Sequence, residues 1–146
     1  MVARGENHIS DVNDGELREI IGCGLVSMGA SLEAVTELDM VVICVPTPLD
    51  ANLAPDLQYI ESITHEIARN LRPGQLVCLE SATYPGTTEE VMKPILEESG
   101  LKAGVDFFLG HSLERVDPGN KRYTIKNASE VVGGNDPISL EVAMAF

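Results

Sequence analysis

Six apolar residues in a row, Met40-Val41-Val42-Ile43-Cys44-Val45, restrict this chain's fold more than any other segment. The run is mostly β-branched and apolar on both faces, as a central strand of a parallel sheet should be. It stops at Pro46-Thr47-Pro48, where two prolines remove backbone donors and end a ladder. The segment after it is helical: from Asp56, the residues Leu57, Ile60, Ile63, Ile67, Ala68 and Leu71 recur at helical period. Arg69 and Arg72 stand near the negative end of that helix dipole, and Pro73-Gly74 closes it. Residues 75–79 form a second strand. Thr87-Thr88-Glu89-Glu90 opens a second helix with capping-box spacing, kinked by Pro94 and ended by Gly100. Residues 107–109 form a third strand.

The flanking segments carry weaker signals. Residues 16–21 are expected to form a short helix stopped by Gly22-Cys23-Gly24. Residues 25–27 read as a weak strand, and Ser31 as the cap of a helix to Leu38. Residues 130–134 are expected to add a last short strand. Asp136-Pro137 then starts a helix over 138–146. Strands spaced by helices imply right-handed βαβ units and a parallel sheet.

The chain has 146 residues, 44% of them hydrophobic, which is enough for one domain with a core and argues against disorder. Its net charge of −13 argues against non-specific nucleic-acid binding and against docking on anionic membranes. No apolar run is long enough to span a bilayer, and the N-terminus lacks the apolar stretch of a signal peptide, so a cytoplasmic location is expected. Cys23, Cys44 and Cys78 show no metal spacing. Cys44 and Cys78 read as small buried hydrophobes and Cys23 as a loop thiol.

Ligands of open α/β sheets bind beyond the carboxyl ends of the strands. Thr47 follows the first strong strand and Thr83 the second, both beside proline. Ser112-Leu113-Glu114-Arg115-Val116-Asp117-Pro118-Gly119-Asn120 follows the third. Singly, each threonine reads as a turn cap and Glu114-Arg115 as a surface ion pair of little worth. Three polar loops on successive strand ends favour one crevice instead. There a carboxylate can act as a base and an arginine fork can hold phosphate or carboxylate. His111 reads as an ordinary loop histidine. Gly22-Cys23-Gly24 is not a dinucleotide fingerprint: it follows a helix, precedes a strand and has Ser27 where the third glycine would stand.

The segments Arg4-Gly5-Glu6-Asn7-His8-Ile9, Val42-Ile43-Cys44-Val45-Pro46-Thr47-Pro48-Leu49, Thr83-Tyr84-Pro85-Gly86-Thr87-Thr88, Glu114-Arg115-Val116-Asp117-Pro118-Gly119-Asn120 and Val131-Val132-Gly133-Gly134 stand in one order. In that order the chain resembles the NAD-dependent UDP-glucose/GDP-mannose dehydrogenase family. Within it, the UDP-N-acetylglucosamine and UDP-N-acetylmannosamine 6-dehydrogenases are the most similar branch. The resemblance implies oxidation of a sugar C6 alcohol to the uronate with two NAD, through a cysteine thioester cleaved by water. It implies that Thr83 helps place that water and that Glu114 assists hydrolysis. Val45, Pro46, Thr47, Pro48, Ser81 and Thr83 would lie along NAD. Glu114, Arg115 and Asn120 would face a UDP-sugar, and no metal is implied. Leu113 stands where the family usually has proline, Ala82 where it has serine or threonine, and Gly110-His111 where it tends to have Ala-Phe.

The resemblance also implies absences. The opening strand–glycine turn–helix, the downstream nucleophilic cysteine, the central helix and the sugar domain are not in this sequence. The expected fold is a partial, Rossmann-like, three-layer parallel sheet lacking the first βαβ unit. Residues 1–146 would be part of an NAD-binding domain, with 1–135 forming the sheet and 136–146 starting a following helix. In family order, residues 25–27 would be strand 3, loose or collapsed onto the next, and residues 40–45 would be an edge. The chain alone is expected to lack turnover. A second expectation is a non-catalytic remnant or partner-binding module, forming a homo-oligomer or pairing through the exposed sheet edge.

Overall fold

The computed structural model describes residues 13–51, 53–113, 122, 127 and 129–146. Two compact units are present: residues 1–31 with 116–128, and residues 32–115 with 129–146. Glu114, Arg115 and Asn120 lie outside the described residues, as does the segment Arg4 to Ile9.

In the first unit, α1 spans Asp14–Gly22. Asn13 caps it, its side chain accepting from the Gly15 and Glu16 N–H groups, and Asp14 and Glu16 suit the positive end of its dipole. Residues 25–27 are not a strand: Leu25 is 88% exposed and no ladder forms there. Three residues behind a left-handed Gly24 (φ +74°) offer too few backbone bonds to hold an extended segment without a neighbouring strand.

The second unit holds the sheet. Its strands are β1 (Met40–Ile43), β2 (Leu76–Leu79), β3 (Phe108–Ser112) and β4 (Val132–Gly134), in the order β1-β2-β3-β4. β1–β2 and β2–β3 are parallel, with Val41 opposite Val77 and Val77 opposite Leu109. β4 runs antiparallel to β3, with His111 opposite Gly133, so the sheet is mixed where an all-parallel one was expected. A parallel fourth strand would need a crossover that carries the chain back along the sheet, which an antiparallel one does not. Among the described strands β1 stands at the edge, as expected for residues 40–45, with Val42 exposed.

Strand alternation sorts side chains onto two faces. Ile43, Val77, Leu79 and Leu109 share one face with Ile60 and Ile67 of α2 (Gln58–Asn70) and with Leu96 of α3 (Lys93–Glu97), all buried in one cluster. Cys78 and Gly110 point to the other face, where α4 (Pro137–Ala145) packs. Gly110 lets α4 come close: a Cβ there would lie 3.0 Å from that of Ala143. The three-layer arrangement therefore holds in this unit.

Two helix starts differ from the sequence pattern. Residues 33–37 form a 3₁₀ turn with Leu32 at its start and no side-chain cap. The helix at Thr87 opens as a π-helical turn, Thr87–Met92, preceded by Gly86 at φ +102°. The Thr87–Glu90 capping box does not form, because the Thr87 hydroxyl donates to the Tyr84 carbonyl. Pro94 falls in the first turn of α3, where its missing N–H costs least.

Candidate functional site

The exits of β1 and β2 are stapled together. The Ser81 hydroxyl accepts from the Val45 N–H and donates to the Val45 carbonyl, both at 2.8 Å. The Glu80 and Ser81 N–H groups both reach the Ile43 carbonyl. Ser81 is buried, so its hydroxyl serves to position the Val45–Pro48 turn. Beyond that turn the Pro48 carbonyl accepts from Asp56 N–H at 2.8 Å, and Leu49 bridges Pro55. Val45 and Thr47 are half-buried, and Pro46 and Pro48 are exposed. Cys44 is exposed beside the Glu80 carboxylate, which corrects its reading as a buried hydrophobe. Cys78, opposite Val42 in the ladder, is buried, and burial followed by the Glu80 charge pushes its thiol up to about 11.

Thr83 stands in a cavity of about 410 Å³ at the carboxyl ends of β2 and β3. The Thr83–Thr88 loop forms one wall, His111 and Leu113 a second, and Gly133 with Asn135 a third. The Thr83 and Thr87 hydroxyls are 2.8 Å apart. Thr87 has one proton, which goes to the Tyr84 carbonyl at 2.9 Å. Thr83 is therefore the donor between the two hydroxyls, and its oxygen is left as an acceptor. Gly86 is needed at the turn: its φ is left-handed, and a Cβ would lie 3.0 Å from the Glu90 carboxylate.

His111 is on β3 rather than in a loop, and burial holds its pKa below the ordinary imidazole value. Asn135 was not singled out from the sequence. Its backbone N–H donates to Leu109, while its side-chain oxygen is buried without a partner. Such a group costs roughly 1–3 kcal/mol unless a ligand or water meets it. The only local hint was its place directly after the Gly133-Gly134 pair. Of the expected site residues, Thr83 lines the cavity, while Val45 to Pro48 and Ser81 stand at the neighbouring strand exit and do not line it. Among the described residues no group of His, Cys, Asp and Glu could hold a metal ion, and no helix is long and apolar enough to cross a membrane.

Comparison with known proteins agrees with this architecture. The family model of the NAD binding domain of the UDP-glucose/GDP-mannose dehydrogenase family matches residues 7–145. UDP-N-acetyl-D-glucosamine 6-dehydrogenase of Pseudomonas aeruginosa is 36% identical over 143 residues, covering 87% of this chain and 34% of that protein. UDP-N-acetyl-D-mannosamine dehydrogenase of Pyrococcus horikoshii is 35% identical over 121 residues, covering 83% of this chain and 29% of that protein. The solved structure of the UDP-D-ManNAc dehydrogenase from Pyrococcus horikoshii superposes with a TM-score of 0.89 at 34% identity, over 99% of this chain and 34% of that one. The chain thus spans about a third of the length of the relatives it matches. It belongs to the UDP-glucose/GDP-mannose dehydrogenase family, as part of that family's NAD binding domain.

Proposed function

We propose that this chain is part of an NAD-dependent nucleotide-sugar 6-dehydrogenase that oxidises the C6 alcohol of a UDP-N-acetylhexosamine to the uronate, in the cytoplasm. The observation that carries the reading is the placement of Thr83. Its oxygen is held as an acceptor in a cavity at the carboxyl ends of two parallel strands, beside an exit loop fixed by Ser81. That is where open α/β sheets take ligands. The names of the relatives, which act on UDP-N-acetyl sugars, supply the substrate class.

The residues present fit one end of a dinucleotide. The Val45–Pro48 turn and the Thr83–Thr88 loop are rigid, uncharged walls suited to a nicotinamide riboside. When bound, the cofactor would accept hydride from C6. The β2-to-helix turn has a glycine, but the Glu90 carboxylate lies against Gly86 and repels phosphate. β4 also ends in glycines, Gly133-Gly134, before α4, but the Asp136 carboxylate caps that helix start and repels phosphate in the same way. Among the described residues the pyrophosphate end thus has no cradle. Thr83 would accept a hydrogen bond from the reacting water and orient its lone pair. Glu114, one residue beyond the cavity-lining Leu113, would take the proton, and Arg115 and Asn120 would hold the UDP-sugar. The test is NADH formation by the purified 146-residue chain with NAD and either UDP-N-acetylglucosamine or UDP-N-acetylmannosamine. No turnover is expected, and sustained NADH production would show that the site is complete.

The position of β1 favours a second role. Its outer edge has no strand neighbour among the described residues, and Val42 is exposed there. Unpaired strand edges recruit partners. Size-exclusion with light scattering should then give a discrete oligomer, and a monomer at high concentration would remove this role.

A further inference from the structure

The outer edge of β1 carries bonding groups that the ladder to β2 leaves unused. The Asp39 carbonyl accepts from the Leu76 N–H, and the Ile43 carbonyl accepts from the Glu80 and Ser81 N–H groups. The backbone groups of successive strand residues point to opposite sides. Asp39, Val41 and Ile43 therefore bond toward β2, while Met40 and Val42 turn their N–H and C=O groups outward. No strand meets them among the described residues. The edge ends at Met40, because the Leu38 carbonyl already accepts from Gln75 and Arg72. Side chains alternate as well. Val41 and Ile43 pack into the core, whereas Val42, opposite Cys78, lies on the α4 side of the sheet and is 38% exposed.

Sheet edges are commonly guarded by lysine, proline, a bulge or an inward charge. Met40–Ile43 has none of these, and its register with β2 runs one to one. Residues 40–49 hold no charge in a chain of net charge −13, so a like-charged copy can approach along this strand without opposing charges. We propose that β1 pairs antiparallel with β1 of a second copy of this chain, about a two-fold axis at Val41. This rests on the edge role proposed above and names its partner. In that register Met40 lies opposite Val42 of the second copy, and Val42 opposite its Met40. Each such pair exchanges both N–H···O=C bonds, which uses every outward backbone group of Met40 and Val42 in both copies. Val41 meets Val41 as the closer, non-hydrogen-bonded pair. The exposed Val42 side chain gains an apolar neighbour in Met40 on the same face. The Asp39 carboxylate, held by Arg72, falls opposite Ile43 and meets no second carboxylate.

The test uses the 146-residue chain. Light scattering after size exclusion should show a dimer that dissociates on dilution. In a mixture of ¹³C-labelled and unlabelled chains, an isotope-filtered NOE should join the Val41 Hα of one chain to the Val41 Hα of the other. On dilution the Met40 and Val42 amides should lose protection from hydrogen exchange, while those of Val41 and Ile43 keep theirs. Val42→Lys should weaken the dimer by about tenfold or more, since an ammonium would face Met40 in an apolar seam, and Val42→Thr should retain it. If Val42→Lys does not fold, the NOE and the exchange pattern decide the matter in the unsubstituted chain. A dimer without the Val41 contact, or unchanged affinity in folded Val42→Lys, overturns this pairing and leaves an oligomer of another kind standing. A monomer at high concentration, with the Met40 and Val42 amides exchanging freely, removes the oligomer and the pairing alike and leaves an unlike partner as the occupant. No arm reads NADH, so the dehydrogenase reading stands or falls on its own test.

Discussion

Gln75 is fully buried, yet it is polar. Its Nε2 donates to the carbonyls of Val35 and Leu38, and its Oε1 accepts from the Arg72 N–H at 2.6 Å. Arg72 adds bonds to Thr36, Leu38 and Asp39. Together they satisfy the end of the 3₁₀ turn and lock it to the end of α2. Gln75→Leu should cost about 1–3 kcal/mol in urea unfolding, because the Arg72 N–H loses its acceptor and the Val35 and Leu38 carbonyls each lose one of two donors. In the sequence Gln75 looked like the first residue of a strand and Arg72 a complement to a helix dipole. Their partners lie 33 to 40 positions away, beyond any local periodicity. The cysteines show the same limit. Cys44 and Cys78 sit in similar apolar runs, but only Cys78 is covered by α4's side of the sheet. At pH 8 a thiol reagent should modify Cys23 and Cys44 promptly and Cys78 only on unfolding. Burial and a pKa of about 11 both keep Cys78 protonated and out of reach. Prompt reaction of all three would contradict this packing.

Among the elements, α4 is held by a side-chain cap and by a close approach to β4. Asp136 caps it, accepting from the Ile138 and Ser139 N–H groups and from the Ser139 hydroxyl. That hydroxyl bond, aided by the N–H groups, holds the Asp136 carboxyl below its ordinary value. Its contribution is complete above the unfolded value near 4 and is lost as the pH falls through the lower folded value. Asp136→Ala should cost about 1 kcal/mol at pH 7. Asp136→Asn should keep most of the cap and flatten the acid limb of a stability–pH curve. Gly134 permits the close approach of β4 and α4, since a Cβ there would overlap the Leu140 backbone. Gly134→Ala should therefore lower stability by about 1–3 kcal/mol in thermal or urea melts. The Asp136-Pro137 start was legible because a cap followed by proline is a local signal. The π-helical turn at Thr87 was not, since the Thr87 hydroxyl chose the Tyr84 carbonyl over the pattern of a capping box.

At the scale of the whole molecule, the order β1-β2-β3 followed from apolar runs alternating with amphipathic helices. The direction of β4 did not, because a three-residue strand with two glycines carries no signal for the path that leads to it. The strand expected at 25–27 failed for a related reason: an isolated apolar triplet becomes a strand only if a sheet edge receives it. The candidate cavity was legible in the strand-end loop at Thr83, while the loop at Thr47 stands at the neighbouring exit and does not line it. Asn135 and Thr87 were not, because their roles depend on which hydroxyl or carbonyl stands opposite them in space. The central claim is that two stapled strand exits form the nicotinamide-side wall of an NAD site, with no cradle for the pyrophosphate among the described residues. A ¹⁵N–¹H NMR titration of the chain with NAD tests it most directly. The account predicts shifts confined to the amides of Val45, Thr47 and residues 83–88, with a Kd of about 1 mM or weaker, as expected when most of the phosphate contacts are lost. Tight binding centred elsewhere in the chain, or no change in these two loops at saturating NAD, would contradict it.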